Sequence, residues 1–390
     1  MDQGRHDVTV IAPLPNRPHG VRYPGFPLRL WTTRDVGGAR SIRVWSWLIG
    51  KTRPSLARVL ENITFGITSA VALMFSRRPD VVIVESWPVL ATAAVLAVCK
   101  ARGIPSVNYI KDIYPEAAVA GGVLRPDRVA GALLRLDRWV CQQATCNVVI
   151  SSAAASFLVE SRCVPAGKVR IIFDWLDLKS IGPTDGGPGW RAEHGLGEDE
   201  VVFMFAGTLG FASRVDLLVD VAEKLRAHDK IRLVCVGHGP LKARMEEEIN
   251  RRSLKNLILL PFQPRERVSD MQSAADVMLL TTSAQIGSSS VPSKLITYLA
   301  VAKPVICSVP EGSDIAALVQ EEKLGRVVPP EDPVALADAI TNMTAASRED
   351  LVAISRRARA IALSRHSLEG AVARFDRLLT DIQQDRGSNC

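Results

Sequence analysis

Ser289-Ser290-Val291-Pro292-Ser293-Lys294-Leu295-Ile296-Thr297-Tyr298-Leu299-Ala300-Val301-Ala302-Lys303-Pro304-Val305-Ile306 is the stretch from which the rest of the chain can be read. Pro292 suits the first helical position, where its missing N–H costs nothing, and the amides of Ser293 and Lys294 would then point out of the positive end of the helix. Lys294 adds a full charge at the same place. Leu295, Tyr298 and Leu299 follow at helical spacing, and the Lys303-Pro304 turn leads into an apolar run at 305–309, so the scaffold is loop, helix, strand. A helix start with a cation beside it suits phosphate. A capped helix with a solvated lysine is the plainer alternative, and this stretch alone leaves both open.

On either side of it, short β-branched runs alternate with helical segments. Runs at 8–11, 81–84, 106–110, 147–150 and 169–173 occupy the first half, and runs at 201–206, 231–236, 257–260, 277–281, 305–309 and 326–328 the second. That rhythm predicts an α/β chain of parallel sheets covered by helices, in two doubly wound, Rossmann-like domains. A Gly/Pro-rich stretch at 181–197 interrupts it. The expected division is a first domain at 1–180, a linker at 181–200 and a second domain at 201–366, with a last helix over 367–390 packed on the first domain. Ligands of such sheets sit beyond the carboxyl ends of the strands, which makes the cleft between two facing domains the expected site.

Composition narrows the class. A chain of 390 residues with 47% apolar and 23% charged residues is globular and long enough for two cores. Seven scattered cysteines, mostly inside apolar segments, point to a reducing cytoplasm and not to a disulfide framework. The longest apolar runs, at 63–75 and 89–98, fall short of the roughly 20 residues a bilayer needs, and no secretory signal opens the chain. Net charge is +7, but it is unevenly placed. Arg17, Arg22, Arg29, Arg34, Arg40, Arg43, Lys51, Arg53 and Arg58 face a single acid, Asp35, among residues 17–60, and Tyr23, Phe26, Trp31, Trp45 and Trp47 are interleaved with them. Such a mixture suits an anionic membrane surface or a lipid-phosphate substrate. A solvated basic face with packed tryptophans is the alternative. Nucleic acid is not expected, since no helix-turn-helix, zinc finger or aromatic ribonucleoprotein pattern occurs.

Other segments could carry chemistry. Gly207-Thr208-Leu209-Gly210 leaves the strand at 201–206 and precedes a helix, with Arg214 beyond it; glycines there let backbone approach a diphosphate, or merely make a tight turn. His238, in Gly237-His238-Gly239-Pro240, reads as an exposed loop residue. Asp112 and Glu116, in Asp112-Ile113-Tyr114-Pro115-Glu116, stand at the exit of the strand at 106–110, where two carboxylates serve equally well as a base, as hydroxyl binders or as helix caps. No Asp-x-Asp pair, Walker motif or Gly-x-Ser-x-Gly elbow occurs, which disfavours NTPases, kinases and esterases.

Taken in order and spacing, residues 8–25, 112–116 (DIYPE), 174–177 (DWLD), 206–210 (AGTLG), 236–241 (VGHGPL), 292–295 (PSKL) and 303–306 (KPVI) resemble the family-four retaining glycosyltransferases of the GT-B fold. The likeness is to the bacterial surface-polysaccharide branch of N-acetylfucosamine and colanic-acid type transferases. It implies a second domain that binds a nucleotide sugar and a first that receives a lipid-linked or glycan acceptor, at the inner face of the membrane. Gly207, Thr208, Gly210, Arg214, Ser293 and Lys294 would hold the donor diphosphate, with His238 and Ser289 also in the donor site, Gln263 near the base and Thr297 at the ribose. Asp112 and Glu116 would face the acceptor or the transferred sugar. No cofactor and no metal are expected, because the lysine and the helix end would carry the leaving-group charge.

This chain departs from the pattern mildly at Ala302, where the family has Gly, and at Asp174, where Asn is expected, and more widely in two places. The family's paired glutamates, with seven residues between them, read Ser289 and Thr297 here, and Thr297 carries no charge to the ribose. At the start, Asp2 to Val8 resembles the end of the family's first helix entering the second strand, so the first strand, its glycine loop and most of that helix are missing from the pattern. A frame that begins upstream of Met1, or an impaired form, is the expectation. A non-catalytic relative acting as a binding or scaffold protein is the alternative reading.

Overall fold

The computed structural model describes residues 6–15, 25, 29–47, 54–116, 119, 127–284 and 293–387. It divides into two units, the first made of Met1–Ile150, Ala154–Ile172 and Arg374–Cys390, the second of Ser151–Ala153 and Phe173–Ala373. Ser289 and Pro292, and the basic residues Arg17, Arg22, Lys51 and Arg53, lie outside the described residues, as does the side chain of Arg58.

In the first unit, β1 (Thr9–Pro13) pairs in parallel with β3 (Ala39–Val44), and β2 (Trp31–Val36) pairs antiparallel with β3. Gly37 and Gly38, with φ of 62° and 82°, close that hairpin in the left-handed conformation a two-residue turn requires. Helix α1 (Pro54–Phe75) follows, then β4 (Val82–Glu85), α2 (Val89–Ala101), β5 (Ser106–Ile110), α3 (Arg128–Gln143), β6 (Cys146–Val149), α4 (Ser152–Arg162) and β7 (Val169–Ile171). These four later strands form a parallel sheet in the order β4-β5-β6-β7. Among the described residues no ladder joins the two sheets: β1 is paired only on its β3 side and β4 only on its β5 side. Ile11 of β1 and Val82 of β4 nevertheless share one apolar cluster with Leu73 of α1 and Cys99 of α2.

The second unit opens with α5 (Gly187–Glu193) and then alternates β8 (Val201–Ala206), α6 (Leu217–Lys224), β9 (Ile231–Val236), α7 (Lys242–Arg252), β10 (Leu257–Leu260), α8 (Val268–Ser273) and β11 (Val277–Thr281). Next come α9 (Ser293–Ala300), β12 (Val305–Ser308), α10 (Asp314–Glu321), β13 (Gly325–Val328), α11 (Pro333–Thr344) and α12 (Arg348–Arg365), while α13 (Leu368–Gly387) begins here and ends in the first unit. The six strands are all parallel in the order β10-β9-β8-β11-β12-β13. Both faces are covered, so the strands read as predominantly apolar runs, with Arg232 of β9 and Arg326 of β13 the charged exceptions. Val202, Met204, Val305 and Cys307 pack into one core layer, and Phe203, Phe205 and Ile306 into the other.

Residues 181–200 are not the bare linker their composition suggests. Pro188 starts α5, as proline can in a first turn, and Trp190, 1% exposed, stacks on His194 and enters the second unit's core. The DWLD segment is also tied down: Leu176 donates to the His366 carbonyl and Leu368 donates to the Leu176 carbonyl.

Candidate functional site

In the second unit, β8 and β11 lie side by side at the centre, and the chain winds outward from each in opposite directions. That is the topological switch point, where the loops leaving the two strands part and open a crevice for ligand. Gly207 follows β8 there with φ of 147°, and Gly237 follows β9 with φ of 156°. The loops are laced backbone to backbone. Gly207 donates to the Val236 carbonyl at 2.9 Å, Leu209 to His238 at 3.0 Å and Gly237 to Leu260 at 3.0 Å. A Cβ on Gly237 would sit 1.9 Å from the Gly207 carbonyl oxygen, and one on Gly239 2.2 Å from that of Leu209, so neither glycine can be replaced without opening the loops.

Lys294 enters this floor from the first turn of α9. Its Nζ lies 4.5 Å from the centre of the Phe205 ring, and its Cε fills the space a Cβ on Gly207 would take, 2.3 Å from that position. Burial alone pushes the ammonium down to about 8, and no carboxylate among the described residues pairs with it. Tyr298, one turn along the same helix and fully buried, braces the arrangement by donating to the Ala206 carbonyl at 3.0 Å and accepting from the Ala206 amide at 3.1 Å. A cation with its stem buried, no carboxylate partner among the described residues and a helix start beside it has the chemistry that suits an anion.

The other expected donor residues are distributed around this floor. Thr208 is exposed at the loop tip, and its amide makes no hydrogen bond among the described residues. The Gly207 amide is spent on Val236, and that of Gly210 reaches the Ser213 hydroxyl at 3.3 Å, so Gly207 offers shape and not a donor. Arg214, left-handed at φ 43°, is neutralised: it pairs with Glu331 at 2.6 Å and with Asp216 at 3.4 Å. His238 is exposed, and its carbonyl holds the Leu209 amide. Gln263, just beyond β10, bonds the Pro261 carbonyl beside a Phe262 that is 75% exposed. Ser293 is exposed at the start of α9. Thr297 turns its hydroxyl to the Lys294 carbonyl at 2.7 Å and accepts from Gln272 at 3.5 Å. Gln272 is 3% exposed, and its side-chain oxygen has no partner among the described residues, which leaves a buried acceptor beside Thr297.

In the first unit, Asp112 is exposed in the turn after β5, and Glu116 is not a free carboxylate. Arg162, 2% exposed at the end of α4, donates to Glu116 at 2.7 Å, to the Tyr114 carbonyl at 3.1 Å and to Asp137 of α3 at 2.6 Å, with its guanidinium 5.0 Å from the Phe157 ring. Burial pushes Asp137 up to about 6 against the lowering pull of Arg162, and the like charge of nearby Glu116 adds to the rise. The DIYPE turn is thus clamped from beneath. Sequence reasoning missed this clamp, since an arginine ending an apolar helix reads as a solvated cap. It also missed Phe205, Gln272 and Glu331. Only Tyr298, four residues after Lys294, carried a positional hint. Among the described residues no three His, Cys, Asp or Glu side chains come together as metal ligands.

Residues 1–175 match the family described as glycosyl transferase 4-like domain, and residues 188–361 match glycosyl transferases group 1. The probable glycosyltransferase WbjE of Pseudomonas aeruginosa is 26% identical over 293 residues, covering 73% of this chain and 70% of its own. The putative colanic acid biosynthesis glycosyl transferase WcaI of Escherichia coli (strain K12) is 23% identical over 307 residues, covering 76% and 74%. Among solved structures, Anabaena Alr3699/HepE in complex with UDP superposes with a TM-score of 0.68 at 15% identity, covering 84% of each chain. Sucrose-phosphate synthase from Thermosynechococcus elongatus gives 0.71 at 18% identity, covering 92% and 86%. At those identities the superpositions speak for the fold, which is GT-B.

Proposed function

We infer from the family to which this chain belongs, the glycosyltransferases with a 4-like first domain and a group 1 second domain, that it moves a sugar from a nucleotide-diphosphate donor onto a lipid-linked or surface-glycan acceptor. Bacterial polysaccharide assembly is the process its relatives suggest. The observation that carries the reading is Lys294: a half-buried cation with no carboxylate partner among the described residues, at the switch point, seated against Gly207 at a helix start. In the transfer, the bond from the anomeric carbon to the diphosphate oxygen breaks, the acceptor oxygen takes its place, and the acceptor proton leaves with the diphosphate. Lys294 and the α9 amides would hold the charge that grows on the departing oxygen, strongest where water is excluded. Retention of the anomeric configuration, and a hexosyl or N-acetylhexosaminyl donor, are the finer expectations. Asp112 stands free to meet acceptor or sugar. Glu116, held by Arg162, shapes the turn that carries Asp112.

A scaffold without turnover is the second reading, favoured by Thr297, whose hydroxyl is committed to its own helix. Turnover separates the two. Supplying UDP-, GDP- and TDP-sugars with a polyprenyl-phosphate-linked acceptor, and following nucleoside diphosphate release together with the anomeric proton of the product, should give one productive donor and a retained anomer. Release from none would leave the scaffold. An inverted product would remove retention.

A further inference from the structure

Helix α1 is turned the wrong way round for water. From Val59 to its end, every exposed position is a large apolar residue: Val59, Leu60, Ile63, Ile67 (57% exposed), Val71, Met74 and Phe75 (79% exposed). Thr64, Thr68 and Ser69 of the same stretch turn toward the protein, while Glu61 and Asn62 are half-buried. Thr68 donates to the Trp45 carbonyl at 2.7 Å, Thr64 accepts from the Trp47 amide at 2.9 Å, and Ser69 is 3% exposed. Spacings of three and four make the exposed residues one stripe along the helix. A helix of 22 residues runs for about 33 Å. No helix among the described residues is long and apolar enough to cross a membrane.

The stripe's surroundings indicate what it meets. No charged residue occurs from Asn62 to Ser76, and the next two residues are Arg77 and Arg78, both exposed. Arg102 caps the last turn through the Leu73 and Ser76 carbonyls. Before the stripe, the sequence places Lys51, Arg53 and Arg58, while the nearest acids are Glu61 and Asp80. Trp47, 51% exposed, is fastened to α1 by its amide bond to Thr64 and stands 6.2 Å from Trp45. An apolar stripe with cations at both ends and an indole at its side matches the boundary of an anionic bilayer, with acyl chains for the stripe, headgroups for the guanidiniums and the interface for tryptophan. A partner protein of ordinary surface composition would leave the paired cations unmatched.

We propose that the exposed face of α1, with Trp47, Arg77 and Arg78, lies in the surface of an anionic phospholipid bilayer and holds the first unit there. The proposal deepens the function above and rests on it for its purpose, since a lipid-linked acceptor is met only at a bilayer. The stripe lies flat, inserted to the depth of its side chains, and α1 does not span.

The test uses sedimentation of the full chain with vesicles of phosphatidylethanolamine and phosphatidylglycerol in a three-to-one ratio, or of phosphatidylcholine alone. The wild type should bind the anionic vesicles, and Ile67→Glu/Phe75→Glu should lower that partition by about tenfold or more. Both positions are exposed, so the variant's circular dichroism and its nucleoside diphosphate thermal shift should match those of the wild type. Equal binding by variant and wild type, or binding to neither vesicle, would overturn the proposal. So would a lipid-free dimer that the double substitution dissociates, which would make the stripe an interface between copies. Nucleotide binding without vesicle binding sinks the docking surface alone, while vesicle binding without donor turnover sinks the catalytic reading alone.

Discussion

Replacing Lys294 by methionine should make the second unit more stable and less able to bind, and both effects can be worked from the structure. Burial lowers the ammonium from 10.5 to about 8. At about 1.4 kcal/mol per pH unit, keeping that charge in the folded state near pH 7 costs about 3 kcal/mol relative to the unfolded chain. Losing the contact with Phe205 returns about 0.5–1 kcal/mol of that, and a methionine stem fills the same channel. The net gain for the variant is about 2 kcal/mol at pH 7. Its pH dependence has a fixed sign. Between about 8 and 10.5 the unfolded wild-type lysine still holds a proton that the folded one has released, so wild-type stability rises with pH and the variant's advantage fades by about pH 10.5. Denaturant-dependent hydrogen exchange of the β8 peptide reads the unit by itself. In the same variant, nucleoside diphosphate affinity should fall about fiftyfold, as expected for a lost charge-assisted contact. A variant that is less stable at pH 7, or whose gain is undiminished at pH 10, would refute the burial argument.

Four further predictions concern Gly207, Arg162, Asp137 and Thr297. Gly207→Ala puts a Cβ 2.3 Å from Lys294 Cε in a left-handed backbone, so calorimetry should show diphosphate affinity reduced by about tenfold and the unit's stability by about 1–3 kcal/mol. Arg162→Met leaves Asp137 and Glu116 without their shared cation and should destabilise the first unit by about 3–5 kcal/mol in urea, much of it recovered when Asp137→Leu is added. Asp137 also sets a slope: with its acid raised from 3.8 to about 6, the folded state holds a proton that the unfolded chain has released between those values. Wild-type stability therefore gains from this group as pH falls through that window, and Asp137→Asn should flatten the gain in unfolding curves from pH 4 to 7. Thr297→Glu, beside the Gln272 amide, should tighten a ribose-bearing diphosphate by about tenfold in titration calorimetry while leaving ribose-free pyrophosphate unchanged.

Parallel strands buried on both faces are legible because each is a short, predominantly apolar run. Residues 201–206, 231–236, 257–260 and 277–281 were bounded from sequence as the structure has them, and so were 106–110. The β2–β3 hairpin escaped because its arginines and tryptophans drew a reading as a basic face, although Gly37-Gly38 marked the turn. Helix α5 escaped because its glycines and prolines cluster at its start, where they begin a helix as readily as they end one. Lys294 and Gly207 were legible as types at a strand exit and a helix start. Their mutual contact was not, since 87 residues of chain separate them. Arg214 and Glu116 show the opposite failure: the residue types fitted the chemistry, but each is paired with a group from an element distant in sequence, Glu331 in one case and Arg162 in the other.

The central claim, that the switch point of the second unit is a nucleoside diphosphate site built on Lys294, is tested most directly by titration calorimetry of the wild type and Lys294→Ala with UDP, GDP, TDP and ADP at pH 7. One nucleotide should bind the wild type at micromolar concentration, about fiftyfold more tightly than the variant. Equal affinity in the two proteins, or no binding by a wild type that is demonstrably folded, would contradict it.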